Sequence, residues 1–242
     1  IEFMIFDITK EMENMEFSFA DNYILHIPHS STHIPDKYRH QFVLNDDELN
    51  KEKLQVTDHF TDELFTGLLS NHNKVVANVS RLLVDVERFS DDDHEPMAKK
   101  GVGCIYKSTS SGQVLRNKLT EKERQELMVN YYYPHHDRLT CKVNEALRGY
   151  DKCMIIDCHS FPSIPLSYDE NQAIPRPDIC IGTDSFHTHP ELVTTVRTYF
   201  EDYKLSVSVN SPYSGTMIPL IHFLTNPNVC SLMIEVNRTL YM

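Results

Sequence analysis

Residues 154–160 read Met-Ile-Ile-Asp-Cys-His-Ser, an apolar run that ends in an Asp-x-His pair. Such a run is typical of a central strand with both faces covered. The same pattern occurs at 23–31, Tyr-Ile-Leu-His-Ile-Pro-His-Ser-Ser, and at 231–238, Ser-Leu-Met-Ile-Glu-Val-Asn-Arg. In open α/β sheets, ligands bind where the strands end. We therefore expect His29, His159 and Glu235 to converge there, as in a metal-dependent hydrolase.

Strand and helix patterns alternate along the chain. Apolar runs predict strands at 23–28, 74–79, 81–86, 153–157, 178–182, 205–209 and 229–236. Helical spacing predicts helices over 57–70, 120–148 and 190–203, the second with a capping box at Thr120 and Glu123 and a kink or break at Pro134. This alternation indicates an α/β domain with a parallel or mixed sheet.

Composition narrows the classes of function. The 242 residues are 40% hydrophobic and carry a net charge of −12, which argues against a nucleic-acid partner. There is no apolar run of membrane-spanning length and no signal-type N-terminus. Six cysteines without a CxxC pair fit a reduced, cytoplasmic protein. We interpret 1–242 as one domain, with residues 1–3 as a cloning remnant before Met4, and the oligomeric state stays open.

Two histidines are candidate metal ligands. His29 follows one apolar strand and His159 ends another. Imidazole suits zinc, and a catalytic zinc site takes three protein ligands and keeps one open position. Cys158 is a weaker candidate for chemistry, because alternation along a strand turns it away from His159.

The third ligand is open from the residues alone. Asp58 lies at the start of a predicted helix, where a carboxylate can reach the strand ends or simply stabilise the helix dipole. Its rivals are Asp85, His59 and Glu87. Asp157 is either a ligand or a partner that orients an imidazole.

Other charged residues suit hydrolysis of an anionic substrate. Glu235, inside an apolar run, is either a proton acceptor for an attacking water or the ion-pair partner of Arg238. Arg81 and Arg88 could each grip a substrate carboxylate or pair with the nearby acids. The irregular segment 91–113 is either a lid or a solvated insertion.

Seven short motifs together resemble the N-formylglutamate amidohydrolase family, and they occur in the family's order over nearly the whole chain. They are residues 27–35, 57–60, 80–88, 132–136, 157–160, 210–215 and 235–241. The family is similar to zinc-dependent carboxypeptidases, aspartoacylases and cell-wall amidases. The resemblance implies a three-layer α/β/α sandwich around a mixed, mostly parallel sheet, and cleavage of an N-acyl amino acid such as N-formylglutamate.

The resemblance also implies roles for individual residues. One zinc per chain would be held by His29, His159 and a carboxylate, for which the cell-wall amidases favour Asp58 over Asp85. Glu235 matches the general base. Residues that match contacts to the anionic small-molecule substrate are Arg81, Arg88, Asn237 and Arg238, with His136 of undefined role.

Two positions depart from the family pattern. Related families usually have Asn where this chain has Glu87, which puts a negative charge where an anionic substrate would dock. Ser31 stands where Gly is usual. We therefore keep two alternatives on the same fold, a peptide or cell-wall amidase and a non-catalytic metal-binding protein. The chain stops at Met242, and we expect that a tail follows it.

Overall fold

The computed structural model describes residues 22–65 and 73–242, so residues 1–3 and the end of the helix expected over 57–70 lie outside the described part. Within it, six strands form one sheet in the order β2-β1-β3-β6-β4-β5. The strands are β1 (Tyr23–Ile27), β2 (Lys74–Val76), β3 (Cys153–Phe161), β4 (Ile179–Gly182), β5 (Val207–Val209) and β6 (Val229–Asn237). Strand β4 runs antiparallel to β6, and the other neighbours are parallel. The expected mixed, mostly parallel sheet is confirmed.

Helices lie on both sides of this sheet. They are α1 (Asp46–Val56), α2 (Thr61–Leu64), α3 (Glu121–Leu127), α4 (Tyr133–Tyr150) and α5 (Pro190–Asp202). Side chains alternate along β1, so Leu25 packs with Leu192 of α5 on one face, while Ile24 packs with Leu139 of α4 on the other. The result is the expected three-layer α/β/α sandwich.

The helix expected over 120–148 is interrupted before its proline. The capping box of Thr120 and Glu123 begins α3, and a π-helical segment, Met128–Tyr132, joins α3 to α4. Pro134 therefore lies in the first turn of α4, where its missing N–H costs little. No helix in the described part of the chain is long and apolar enough to cross a membrane.

Residues 81–86, which we expected to form a strand, are a buried loop. A turn forms because Leu83 N–H donates to Ser80 O at 2.8 Å. Leu82, Leu83 and Val84 are buried in a second apolar core, away from the sheet, together with Val56 of α1. An apolar run predicts burial, but here loops and a helix bury it.

The segment 91–113 completes this second core. Val102, Cys104 and Tyr106 are fully buried in it, so the segment is not a solvated insertion. Its short 3-10 helix, Pro96–Lys100, brings Met97 to the wall of a cavity that His29 and Glu235 also line. The segment therefore forms a packed wall over one end of the sheet.

The buried centre of β6 sets a stability expectation. Leu232 is fully buried in the core beside β3, and Leu232→Ala should lower the free energy of unfolding by about 2–5 kcal/mol. Urea denaturation measures this change. The matched control is Leu54→Ala on α1, where the side chain is 59% exposed and the expected change is within about 0.5 kcal/mol. Equal effects of the two changes would contradict the assigned core.

Candidate active site

The carboxyl ends of β1, β3 and β6 bring the predicted residues together. His29 lies two residues beyond β1, and His159 lies near the end of β3. In the register of β3 and β6, His159 is directly opposite Glu235. Because neighbouring strands orient paired residues alike, both side chains lie on the face of the sheet that α4 covers.

Asp58 reaches the two histidines from the loop between α1 and α2. Its backbone N–H donates to His29 O at 3.0 Å, which ties this loop to the end of β1. Its carboxylate Oδ2 lies 3.0 Å from His159 Nδ1 and 3.7 Å from His29 Nδ1. Asp58 is 2% exposed, so its carboxylate is buried between the two imidazoles.

The outer nitrogen of each imidazole contacts another carboxylate. His29 Nε2 lies 2.8 Å from Asp85 Oδ1, and His159 Nε2 lies 3.1 Å from both Asp157 Oδ1 and Glu87 Oε1. Such contacts orient imidazole ligands in metal sites. Asp85 and Asp157 each contact one imidazole on its far nitrogen and can orient it. Asp58 instead lies between the two imidazoles.

Burial and charge set the protonation of this cluster. Burial by itself raises the pKa of the Asp58 carboxyl, but His159 and His29 hold it well below its usual range. Burial lowers the pKa of an imidazole, yet Glu87, Asp157 and Asp58 raise the pKa of His159 well above its usual value. The carboxylates thus favour positive charge at this point, which a proton or a cation can supply.

Three of the donor atoms fit a metal ion. A His29 nitrogen, one Asp58 oxygen and a His159 nitrogen can be chosen within 4.8 Å of one another. His29 Nδ1 is buried and has no hydrogen-bond partner, although its ring is fixed through Nε2. A buried polar atom without a partner is costly. Two imidazoles and a carboxylate are also a donor set that zinc favours.

Two of the three arginines hold the acids in place. Arg238 donates to Asp58 Oδ1 at 3.1 Å, to Ser160 Oγ at 3.2 Å and to Gln55 O at 2.9 Å. Arg81 donates twice to Asp85 Oδ2, at 3.0 and 3.2 Å. Both guanidinium groups line the cavity, but protein oxygens already occupy their donors.

Arg88 differs from the other two arginines. Its Nε atom is buried, has no hydrogen-bond partner and lies 3.7 Å from Asp85 Oδ2. The Arg88 side chain lines the same cavity as those of Arg81 and Arg238.

Asn237, a substrate contact in the implied set, has three partners within the protein. Its Oδ1 atom accepts from Ser163 Oγ and caps the 3-10 turn Arg238–Leu240, and its Nδ2 atom donates to Pro177 O. It lines neither the cavity that His29 and Glu235 line nor the neighbouring cavity that Asp157 and His136 line. The reason is local, because a short polar side chain at the start of a helical turn bonds the nearby backbone.

Glu235 is a buried carboxyl with one free oxygen. It is 7% exposed, and its Oε2 atom has no hydrogen-bond partner. No ion pair joins it to Arg238 among the residues that the structure describes, since Arg238 is directed at Asp58. Burial raises the pKa of Glu235 to about 8, and the nearby carboxylates of Asp58 and Glu87 act in the same direction. Such a group can both take up and release a proton near neutral pH.

The structure also adds residues that the sequence analysis missed. His26 lies inside β1, with Nδ1 at 2.8 Å from Asp157 Oδ1 and Nε2 at 2.8 Å from His135 Nε2. His26, Asp157 and Glu87 form a second group of potential metal ligands. The sequence does contain a signal for this group, because His26 lies within an apolar strand and a buried imidazole needs hydrogen-bond partners.

These features define the class of protein. A cavity of about 290 Å³ opens over His29, Asp58, His159 and Glu235. A cluster of imidazoles and carboxylates with a proton-accepting acid, set at the ends of sheet strands, is typical of hydrolases that activate water.

Comparison with known families identifies the group within that class. A family model described as N-formylglutamate amidohydrolase matches residues 21–242, and the chain belongs to this family. It is an amidohydrolase family, whose members hydrolyse amide bonds. No curated protein matches the chain.

Two solved structures share the fold. One is an N-formylglutamate amidohydrolase from Ralstonia eutropha JMP134, with a TM-score of 0.73, 24% identity, and 91% of this chain and 83% of that chain covered. The other is a gene product from Agrobacterium tumefaciens, with a TM-score of 0.66, 21% identity, and 90% and 81% of the two chains covered.

The contribution of the Arg238–Asp58 ion pair can be tested by measuring the free energy of unfolding. Arg238→Met removes one partner of a buried ion pair and should lower the free energy of unfolding by about 3 kcal/mol. Arg197→Met is the matched control, because its pair with Glu201 is exposed and should contribute less than about 1 kcal/mol. Urea denaturation measures both. A loss at Arg238 no larger than that at Arg197 would rule out the supporting role.

Proposed function

We propose that this protein is a zinc-dependent amidohydrolase that cleaves the amide bond of an N-acyl amino acid of the N-formylglutamate type. The observation that carries the proposal is the inner set of His29, Asp58 and His159. Its nitrogen and oxygen atoms lie close enough to hold one ion, and the buried His29 Nδ1 atom has no hydrogen-bond partner.

These three residues would hold the ion, and the surrounding residues would keep them in place. Bound zinc would supply Lewis-acid activation of the amide carbonyl and of a water molecule. Asp85 orients His29, while Asp157 and Glu87 orient His159. The Asp58 carboxylate is held by Arg238, which donates to Oδ1, and by the Ser160 N–H, which donates to Oδ2.

Glu235 is assigned the proton transfers. Its unpartnered Oε2 atom would accept a proton from the attacking water and then deliver it to the amide nitrogen as the C–N bond breaks. The register that places Glu235 opposite His159 puts this carboxyl beside the inner set. A carboxyl held there by a central strand needs little rearrangement to act.

Substrate anchoring is assigned mainly to Arg88. Its guanidinium group would form paired hydrogen bonds with the carboxylate of an amino acid. Arg81 and Arg238 would instead hold Asp85 and Asp58 in position. His136 lines the neighbouring cavity with an unpartnered Nε2 atom, and burial lowers its pKa to about 4, so at neutral pH it acts as a neutral hydrogen-bonding group.

Metal analysis tests the ligand set and separates Asp58 from Asp85. The wild type should bind one zinc per chain, and Asp58→Asn should abolish stoichiometric zinc because it removes a ligand. Asp85→Asn should keep the ligands but weaken zinc affinity about 10- to 100-fold, since only the orientation of His29 is lost. Mass spectrometry of bound metal and competition with a chelator measure these changes.

The control for the metal analysis is His94→Ala, which changes an exposed histidine paired with Asp91 and should leave zinc binding intact. Loss of zinc in Asp85→Asn with full zinc in Asp58→Asn would reverse the two assignments. Stoichiometric zinc without turnover of any amide would reduce the function to metal binding.

Glu235→Gln tests the proton transfers. The amide side chain is isosteric but cannot accept the proton, so kcat should fall about 10²- to 10⁴-fold with zinc content unchanged. The Tm should stay equal or rise, because a neutral group replaces a carboxyl that is costly to bury. Assays of N-formylglutamate hydrolysis and thermal melts provide both readouts. The exposed Glu63→Gln is the control, and full activity in Glu235→Gln would exclude the assigned role.

A further inference from the structure

A second cavity opens beside the one that holds the candidate active site. It has a volume of about 250 Å³, and we call it the side lobe. The two cavities share Glu87, Arg88, Ser214 and Met233, so they adjoin along these residues. Cleavage of a formyl group alone needs no recess of this size.

The walls of the side lobe are largely apolar. The apolar side chains that line it are Phe89, Met217, Ile218, Leu220, Phe223 and Met233. Leu220 is 72% exposed, and Phe223 is 39% exposed, so both are available to a ligand at the mouth of the lobe. Contact with an apolar ligand group would remove this surface from water.

The charges that line the side lobe limit the ligand further. Among the described residues that line it, Arg88 is the one arginine and there is no lysine. His136 also lines it, and burial favours its neutral form. Glu87 and Asp157 also line it, but the Asp157 carboxylate is buried and bonded to His26, His159 and the Met217 N–H, so the partly exposed carboxylate is that of Glu87. The lobe therefore matches a ligand with one carboxylate, held on Arg88, and little further negative charge.

We propose that the side lobe binds the amino-acid half of the substrate and selects N-acyl amino acids with an apolar side chain. The substrate carboxylate lies on Arg88 at the junction of the cavities, close to the amide because it is attached to the same α-carbon. The side chain packs against the apolar wall. This inference rests on the proposed function and narrows its substrate class.

A glutamate side chain fits the lobe less well for an electrostatic reason. Its second carboxylate would enter a space where Arg88, the one arginine among the described lining residues, already holds the first carboxylate and where the Glu87 carboxylate is partly exposed. A like-charged group held there without a partner loses hydration and gains no compensating bond. An apolar side chain of similar size avoids both effects and buries apolar surface.

The first measurement compares kcat/KM of the zinc-loaded wild type for N-formyl-L-leucine and N-formyl-L-glutamate. We expect the leucine derivative to be preferred by about 10-fold or more, the range that one apolar pocket can provide. Binding of the same two compounds to Glu235→Gln is measured in parallel by titration calorimetry, because that variant should hold them without turnover.

A matched pair of variants connects the preference to the side lobe. Leu220→Lys adds a cation at its mouth and should reduce the leucine-to-glutamate ratio about 3- to 5-fold, the effect of one exposed ion pair. Leu224→Lys makes the same change nearby, at a side chain that is 54% exposed and lines neither cavity. It should leave the ratio unchanged.

The outcomes separate the two proposals. Preferential cleavage of N-formyl-L-glutamate would overturn the side-lobe assignment and leave the amidohydrolase proposal standing. Tighter binding of N-formyl-L-leucine without turnover of either compound would support the side-lobe assignment and overturn the proposed activity. Equal responses of the ratio to Leu220→Lys and Leu224→Lys, or binding of neither compound, would also overturn the side-lobe assignment.

Discussion

A buried carboxylate has to be paired, and at the centre of this protein Asp58 imposes that requirement on its surroundings. Two imidazoles contact it, and the Arg238 guanidinium and the Ser160 N–H complete its environment. Those partners lie just beyond β1, near the end of β3 and just beyond β6. A carboxylate at this position therefore holds three strand ends and the α1–α2 loop in one arrangement.

Asp85 and Asp157 are also buried carboxylates that need partners. Asp85 and Asp157 orient the imidazoles, and they are in turn held by Arg81, Tyr106 and the Met217 N–H. The loop 81–86 and the segment 91–113 supply some of these partners, which explains why they have an apolar core of their own. That core fixes the wall of the cavity, and a rigid wall is what a positioned catalytic group needs.

Glu87, which departs from the family pattern, has defined contacts in the structure. In the sequence it places a negative charge near the expected substrate. In the structure its carboxylate contacts His159 at 3.1 Å and also lines the boundary between the two cavities. It thus contributes to the imidazole cluster and, in our proposal, to the exclusion of a second carboxylate from the side lobe.

The sequence alone determined the six strands of the sheet, the capping box that begins α3 and the convergence of His29, His159 and Glu235, because these depend on local patterns and on the geometry of parallel strands. It wrongly added a strand over 81–86, because an apolar run does not specify what buries it. It left Asp58 and Asp85 equivalent and missed His26. Only the tertiary structure decided which carboxylate lies inside the imidazole pair, that Arg238 supports Asp58, and that Asn237 is a cap. Those outcomes depend on contacts between residues that are distant in the sequence, such as Asp58 and Arg238. In addition, no periodic pattern in the sequence specifies the direction of a side chain in a loop.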